Sequence, residues 1–284
     1  EAAIISEWSY PKQAIHAGFH MDFFLDFDGN SGGYKSLFRH YTLDVENLPT
    51  GTDNSFFRKD GKGDIRRFLD EYLVHYESTK DAGFMSLVTG NHDVVRLRYT
   101  LDPTELALAY AFIFTFPGVP FLYYGDEIGM RYLNLPTKEG GYFRTGARTP
   151  MQWKAGKNLG FSGADTPYLP VDGAPDAPTV EAQEKDPASL LNTVKALLRL
   201  RRQEADLNAR PNLEIIHAEK GGLPFVYRRG SLLLALNPAG HKAAVPVKFG
   251  PVKAAAEPLY AIGKAGLENG VCSLEAQSFG VWSV

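Results

Sequence analysis

Four short apolar stretches, each followed by polar or glycine-rich residues, dominate the first 130 residues of the chain. They lack the alternation of polar and apolar residues that marks a strand with one face in water. Strands that are apolar on both faces are typical of parallel sheets covered by helices. The pattern therefore predicts an α/β fold, with strands at 2–9, 21–29, 84–93 and 119–129.

Helical periodicity lies between and after these strands, where parallel connections require it. Apolar residues recur at intervals of three and four after Asp64, from Ile65 to Tyr76. The segment Asp-Pro-Thr-Glu at 102–105 has the pattern of a capping box with proline at the first helical position. Asp186 and Pro187 precede a third amphipathic stretch, so we predict three helices that open at these positions.

Two long irregular segments, at about 28–63 and 131–185, interrupt this alternation. Loops of that length are usually functional or disordered, and aromatic residues in the second indicate an ordered one. From residue 207 onward the chain consists of short apolar segments separated by turns, which is typical of antiparallel β structure. We expect a first domain over 1–206 and a small all-β domain over 207–284. The aromatic residues of the second segment are Tyr142, Phe143, Trp153, Phe161 and Tyr168.

Composition restricts the class of protein. With 284 residues, 44% of them hydrophobic, the chain can bury a substantial core. Its net charge of −3 and scattered basic residues predict no nucleic-acid partner and no membrane partner. Cys272 is the only cysteine, which excludes an internal disulfide, and no apolar run reaches the roughly 18 residues that cross a bilayer. We expect a soluble globular protein.

Polar side chains follow each of the four predicted strands. Ligands of such sheets bind at the carboxyl ends of the strands, so these side chains are expected to face one ligand. Each also has a purely structural interpretation: a turn for Asn-His-Asp, a surface carboxylate for Glu7, a helix cap for Asp126 and Glu127. In strand order, the polar residues are Glu7; Asp26 and Asp28; Asn91, His92 and Asp93; and Asp126 and Glu127.

The string Gly-Asn-His-Asp at 90–93 suits two chemistries. Binuclear-metal phosphoesterases carry it, but they also need Gly-Asp-x-His and Gly-Asp-x-x-Asp-Arg motifs, and GDIRRF at 63–68 lacks the second aspartate. A metallophosphoesterase is therefore a distant alternative, and we predict no metal ligands among the candidate residues. The other chemistry is glycoside hydrolysis, which needs a carboxylic acid to protonate the leaving oxygen and a stabilised oxocarbenium-like transition state.

Several motifs, in this order, resemble the α-amylase and α-glucosidase family of retaining glycoside hydrolases, which fold as a (β/α)8 TIM barrel. IISEWSYP at 4–11, VTGNHDVVR at 88–96 and GVPFLYYGDEIGM at 118–130 are similar to the fifth, seventh and eighth strand motifs. ARTPMQW at 147–153 resembles a loop of the oligo-1,6-glucosidase, α-glucosidase and trehalose synthase branch. The resemblance implies an α/β fold made of strands 5–8, the C-terminal half of the barrel, followed by a small antiparallel β-sandwich.

The resemblance also implies roles for single residues. Glu7 matches the general acid/base, and Asp93 and His92 match the pair that binds the sugar at the reacting bond. Apolar surroundings favour the protonated form of a carboxylic acid, and Trp8 would provide them for Glu7. The catalytic residues are thus predicted to be Glu7 and Asp93. The predicted substrate-binding residues are Trp8, Asn91, His92 and, as a weaker match, Arg96.

The family's nucleophile is not found in this chain. It is an aspartate in a Gly-x-Arg-x-Asp-like motif at the end of strand four, and nothing before Glu7 matches that motif. We expect the chain to begin within a domain and to be inactive alone, because half a barrel cannot close. Its expected partner is the N-terminal half of the barrel, as a separate chain or a cleaved fragment.

The expected substrate is an α-glucan or malto-oligosaccharide, and the chemistry requires no cofactor. The alternative is a non-catalytic derivative of the fold that binds carbohydrate or protein. The sequence does not indicate the α-1,4 or α-1,6 preference, hydrolysis as opposed to transfer or isomerisation, or a structural calcium ion. Localisation is not predicted, since any signal peptide would lie upstream.

Overall fold

The computed structural model describes residues 2–25, 32–41, 52–60, 62–138, 144–248 and 255–284. Among the predicted features, Asp26, Asp28, Tyr142 and Phe143 lie outside these ranges. The helices are α1 Pro11–His16, α2 Gly32–Phe38, α3 Ile65–Thr79, α4 Pro103–Thr115, α5 Arg144–Ala147, α6 Val180–Lys185 and α7 Leu190–Gln203. The strands are β1 Ile5–Ser6, β2 Met21–Phe24, β3 Phe84–Val88, β4 Val119–Phe121, β5 Leu213–His217, β6 Phe225–Arg229, β7 Leu232–Asn237, β8 Ala243–Pro246, β9 Ala255–Ala256, β10 Tyr260–Ile262, β11 Ala265–Glu268, β12 Val271–Leu274 and β13 Ser278–Ser283. No helix in the described ranges is both long and apolar enough to cross a membrane.

Strands β1 to β4 form a parallel sheet in sequence order, which confirms the predicted α/β character. One face is covered by helices: Phe24 is fully buried and packs against Phe68 and Tyr72 of α3. The other face is only partly covered: Ile5 and Phe84, which are neighbours of Met21 in the register, are each 39% exposed, whereas Ser86 and Val88, on the same face as Phe84, are buried. The predicted burial on both faces therefore holds for the carboxyl-terminal part of β3 and not for the amino-terminal ends of β1 and β3.

The strands are shorter than their apolar stretches predict, and β1 shows why. It pairs with β2 at only two positions, Ile5 and Ser6. Beyond Ser6, the backbone N–H groups of Trp8 and Tyr10 donate to the carboxylate of Asp22, at 3.0 and 2.8 Å. Because a side chain satisfies these donors, the chain leaves the ladder and turns over the end of β2.

Two of the three predicted helices begin where their caps indicate. Asp64 accepts from the N–H of Arg66 at the start of α3, and Asp102 forms a full capping box with Glu105 at the start of α4. The third prediction is wrong by about one turn, because α7 begins at Leu190. Ser189 is its cap, and the Asp186 side chain instead accepts from Ala188 N in a local turn.

The antiparallel part of the chain confirms the predicted β structure. A five-stranded sheet has the order β10-β13-β7-β6-β5, and a four-stranded sheet has the order β8-β12-β11-β9. Val226, Leu233 and Trp282 of the first sheet share one apolar core with Cys272 and Leu274 of the second. Cys272 is thus a buried residue of this core.

The other face of the five-stranded sheet packs on the helices, so the apolar core continues past residue 206. The rings of Phe116 and Tyr227 pack edge-to-face with their centroids 5.3 Å apart, and the hydroxyl oxygens of Thr115 and Tyr227 are 2.6 Å apart. Arg229 is fully buried and donates to the carbonyl oxygens of Thr115 and Asn208. The boundary at 206/207 stays a prediction, because the two parts share this core.

We predict that Arg229→Met lowers the free energy of unfolding by about 3 kcal/mol, because it leaves buried carbonyl oxygens without donors. Arg228→Met is the matched control, since Arg228 lies next along β6 but is partly exposed and pairs with Glu214 at the surface. It should cost less than about 1 kcal/mol. Urea unfolding measures both, and equal losses would contradict the role assigned to Arg229.

Candidate active site

Glu7, Asn91 and Asp93 come together at the carboxyl end of the parallel sheet. Glu7 directly follows β1, and Asn91 and Asp93 lie in the turn after β3. The Asn91 side-chain amide donates to Glu7 Oε1 at 3.1 Å, and the backbone N–H of Asp93 donates to Asn91 Oδ1 at 2.8 Å. One amide side chain therefore connects the Glu7 carboxylate to the backbone of Asp93, although β2 separates their strands.

Asp93 is held by two arginines that lie outside the motifs around Glu7 and Asp93. Arg144 Nε lies 2.9 Å from Asp93 Oδ1, and Arg148 Nη2 lies 3.1 Å from the same oxygen. Arg148 also donates from Nε to the carbonyl oxygen of His92. The spacing of the two arginines could have indicated this, because Arg144 begins the short helix α5, Arg148 directly follows it, and residues four apart on a helix lie on the same side.

The Asp93 carboxylate nevertheless remains accessible. Its side chain is 18% exposed, and the neighbouring His92 imidazole is 53% exposed, with Nε2 3.5 Å from Asp93 Oδ2. The two arginines balance the negative charge while leaving one oxygen toward the imidazole. Such a pair can accept and donate hydrogen bonds to the hydroxyl groups of a ligand.

Glu7 and Trp8 are both exposed, Trp8 by 60%. The described residues therefore do not provide the apolar surroundings expected for Glu7. The backbone beside Glu7 is firmly positioned, however, by the bonds from Trp8 and Tyr10 to Asp22. Burial raises the pKa of the Asp22 carboxyl, and these backbone hydrogen bonds oppose the shift. Asp22 therefore positions the backbone next to Glu7. Its place within an apolar strand gives no indication of this role in the sequence.

Arg96 does not stand at the rim with the other predicted ligand contacts. It is 1% exposed, and its Nη1 lies 2.9 Å from Asp126 Oδ1. The guanidinium also packs over the rings of Tyr123 and Tyr124, at 4.8 and 4.9 Å from their centroids. Thr89 donates to the second Asp126 oxygen at 2.6 Å, so Arg96 belongs to a buried network below the turns.

The turn after β4 depends on Gly125. Its φ of +83° favours glycine, and a Cβ atom there would lie 2.2 Å from the sulfur of Met130. This turn leads into a short 3₁₀ helix that directs Asp126 inward, where it is 3% exposed. Glu127 is half-buried in an apolar pocket, and burial raises the pKa of its carboxyl group.

In the described ranges, no group of three His, Cys, Asp or Glu side chains is arranged to hold a metal ion. What the arrangement offers is one exposed carboxyl group, one carboxylate fixed by two guanidinium groups, and an exposed imidazole. The exposed carboxyl group can transfer a proton. The fixed carboxylate can stabilise positive charge that develops on a ligand.

Comparison with known proteins gives a consistent result. The family model for the alpha-amylase catalytic domain matches residues 38–209. The salivary alpha-glucosidase of Aedes aegypti is 32% identical over 235 residues, which cover 75% of this chain and 38% of that protein. A probable oligo-1,6-glucosidase of Bacillus subtilis is 31% identical over 205 residues, covering 60% of this chain and 35% of that protein.

A crystal structure of the trehalulose synthase MutB superposes with a TM-score of 0.74 at 17% identity. The match covers 100% of this chain and 56% of that one. The chain thus spans well under two thirds of the length of the proteins it matches, and the structural match concerns the fold alone. The family model, which covers more than half of the residues, shows that the chain belongs to the alpha-amylase catalytic-domain family.

Proposed function

We propose that this chain carries the acid/base and sugar-binding half of a retaining enzyme that cleaves or transfers α-glucosidic bonds. Glu7 is the general acid/base, and Asp93, His92 and Asn91 hold the sugar ring at the reacting bond. The nucleophilic aspartate comes from an N-terminal segment that contributes the first four strands of a (β/α)8 barrel. The chain then supplies strands five to eight and the β-sandwich.

The observation that carries this proposal is the Asn91 link between Glu7 and Asp93. Retaining glycosidases need an acid beside the leaving oxygen and stabilisation of the positive charge that develops on the sugar ring. The linked pair supports both requirements at one rim. The similar proteins named alpha-glucosidase and oligo-1,6-glucosidase support an α-glucoside as the substrate.

The proposed reaction has two steps. In the first, Glu7 gives its proton to the glycosidic oxygen while the aspartate from the other segment attacks the anomeric carbon and the C–O bond breaks. In the second, Glu7 removes a proton from water or an acceptor hydroxyl, whose oxygen displaces the aspartate. Asp93 favours the positively charged transition state of both steps, and no cofactor is required.

The uncovered part of one face of the parallel sheet supports the proposal that a complementary segment packs there. Ile5 and Phe84 remain exposed there, and β1 and β4 each have a single neighbour in the described sheet. Closure of this kind of barrel requires eight strands, so four further strands would pair with both edges. The same strands would cover Glu7, which the described residues leave in water.

The test is purification of the tagged chain from its source and identification of what accompanies it. We expect a polypeptide with a Gly-x-Arg-x-Asp motif, and hydrolysis of maltose and p-nitrophenyl α-glucoside by the assembly but not by the isolated chain. An active isolated chain would contradict the shared site. An assembly that binds malto-oligosaccharide without turnover would instead favour the non-catalytic alternative.

In that assembly, Glu7→Gln should lower kcat on maltose by about 10²- to 10⁴-fold, because the leaving oxygen loses its proton donor. The loss should be smaller for the glycosylation step of p-nitrophenyl α-glucoside, since nitrophenolate leaves without protonation. Glu77→Gln is the matched control, because Glu77 is an exposed acid of α3. The same loss on both substrates in single-turnover kinetics would argue against acid catalysis by Glu7.

Asp93→Asn should lower kcat by about 10²-fold or more, because a neutral amide stabilises positive charge poorly. Asp70→Asn serves as the control, since Asp70 is a surface acid paired with Arg66. Steady-state kinetics on maltose measures both variants, and circular dichroism checks their folding. Wild-type kcat in Asp93→Asn would rule out the assigned role.

Asp22→Asn tests the positioning of Glu7. One carboxylate oxygen accepts from Trp8 and the other from Tyr10, and an amide can accept at only one of these positions. We expect kcat to fall about tenfold while KM changes little, because the substrate contacts at Asp93 are intact. Equal changes in kcat and KM, or none, would show that Asp22 does not act through Glu7.

A further inference from the structure

The turn of residues 89–95, which carries the three side chains proposed to hold the sugar, contacts a helix from another part of the chain. This helix is α2, and it lies within the long segment predicted as irregular at 28–63. The backbone N–H of Gly33 donates to Glu71 Oε2 at 2.6 Å and so fixes the start of α2 on α3. The long segment therefore presents an ordered helix to the carboxyl end of the parallel sheet.

Arg39, which directly follows α2, bridges the two ends of the 89–95 turn. Its Nε donates to the carbonyl oxygen of Val95 at 2.6 Å, and its Nη2 donates to that of Thr89 at 2.8 Å. The residue is only 2% exposed. Nε and Nη2 lie on one edge of the planar guanidinium, so a single rigid group fixes the distance between the first and last residues of the turn.

Tyr34 contacts the backbone one position before the turn. Its hydroxyl donates to the carbonyl oxygen of Val88 at 2.6 Å, and its ring is fully buried against the rings of Phe24 and Phe38. Tyr34 lies in α2 and Arg39 follows it, so one helix supplies the donors for all three carbonyl oxygens.

Gly90 allows this close approach. A Cβ atom there would lie 3.0 Å from Arg39 Nη2 and 3.7 Å from Asp126 Oδ2. Arg39 therefore lies close to the buried carboxylate that also pairs with Arg96. A nearby carboxylate offsets part of the cost of burying the guanidinium charge.

We propose that Arg39 is a positioning residue, which holds the 89–95 turn in the form that places His92 and Asp93 against the sugar ring. Tyr34 assists it at Val88. Arg144 and Arg148 hold the Asp93 carboxylate itself, whereas Arg39 holds the backbone that carries it. This role rests on the proposed function, but the rigidity of the turn can be measured without any activity.

Arg39→Lys tests the role, because it keeps the positive charge and replaces the two fixed donors by one ammonium group. Arg201→Lys is the matched control. Arg201 also bridges two carbonyl oxygens, those of Phe114 and Gly118, both at 2.7 Å, but near the amino-terminal end of β4.

Hydrogen exchange followed by mass spectrometry measures the rigidity, in the chain as purified with whatever accompanies it. Exchange in the 89–95 turn should become about tenfold faster or more in Arg39→Lys, because a hydrogen bond from a charged donor to a buried carbonyl is lost. Arg201→Lys should leave this turn unchanged and accelerate exchange around 114–118. An unchanged turn in Arg39→Lys, or equal acceleration in both variants, would overturn the proposal.

Tyr34→Phe tests the same contacts with a change that keeps the buried ring. Exchange in the turn should become about threefold faster, because the carbonyl of Val88 loses one neutral hydrogen bond. Tyr72→Phe is its matched control, since the buried Tyr72 hydroxyl also donates to a carbonyl oxygen, that of Pro117. Thermal unfolding shows that both variants fold, and equal exchange of the turn in the two would contradict the proposal.

Kinetics of the assembly tests the consequence for the sugar. Arg39→Lys should lower kcat on maltose by about tenfold or more, because a small displacement of Asp93 misplaces its charge at the transition state. KM should rise as well, since the turn also holds the bound sugar, whereas Asp22→Asn lowers kcat alone. Arg201→Lys should change neither constant, and wild-type kcat and KM in Arg39→Lys would overturn the role.

The outcomes separate this inference from the proposed function. A turn that loosens in Arg39→Lys and not in Arg201→Lys, in an assembly without glucosidase activity, would keep the contacts of Arg39 and remove the catalytic proposal. An active assembly with wild-type kinetics in Arg39→Lys would keep the proposed function and overturn the positioning role.

Discussion

The buried ion pair between Arg96 and Asp126 sets the positions of the turns that follow β3 and β4. Both side chains are almost inaccessible to water, so removing either would leave an uncompensated charge, which costs about 3–5 kcal/mol. Thr89 ties Asp126 to the end of β3, and Arg96 donates to the carbonyl oxygen of Tyr124. Because Asn91 and Asp93 lie in the turn between Thr89 and Arg96, this network decides where the predicted sugar contacts stand.

The network also explains why motif similarity misplaces Arg96. An arginine that follows a turn at the end of a strand is a residue type often found in contact with ligands. From the sequence alone, Arg96 is therefore assigned to the substrate. The neighbouring Tyr123 and Tyr124 rings and the inward Asp126 instead offer it a buried partner and two π faces. The sequence could not reveal this, because the contacts join segments about 30 residues apart and follow no local period.

What the sequence predicts well is local. The starts of α3 and α4 depend on caps within three residues, and both are confirmed. The sequence also predicts that polar groups gather at one end of the sheet, because strand ends follow from apolar runs. It misses Arg144, Arg148 and Asp22, since each acts on a residue far away in the chain. The early end of β1 has the same cause, because the Asp22 carboxylate accepts the backbone hydrogen bonds that a neighbouring strand would otherwise accept.

In the proposed assembly, the uncovered part of the sheet face and the exposure of Glu7 have the same explanation, which is the absence of the covering strands. A carboxyl group that donates a proton to a leaving oxygen works best when shielded from water, and the described residues leave Glu7 exposed. In the proposed assembly, the strands that cover Ile5 and Phe84 also approach the end of β1, where Glu7 lies. Under that proposal, assembly would contribute more than a nucleophile, because the burial that closes the barrel would also create the surroundings of the acid. Catalysis and closure of the sheet would then be coupled, since the described residues by themselves leave Glu7 in water.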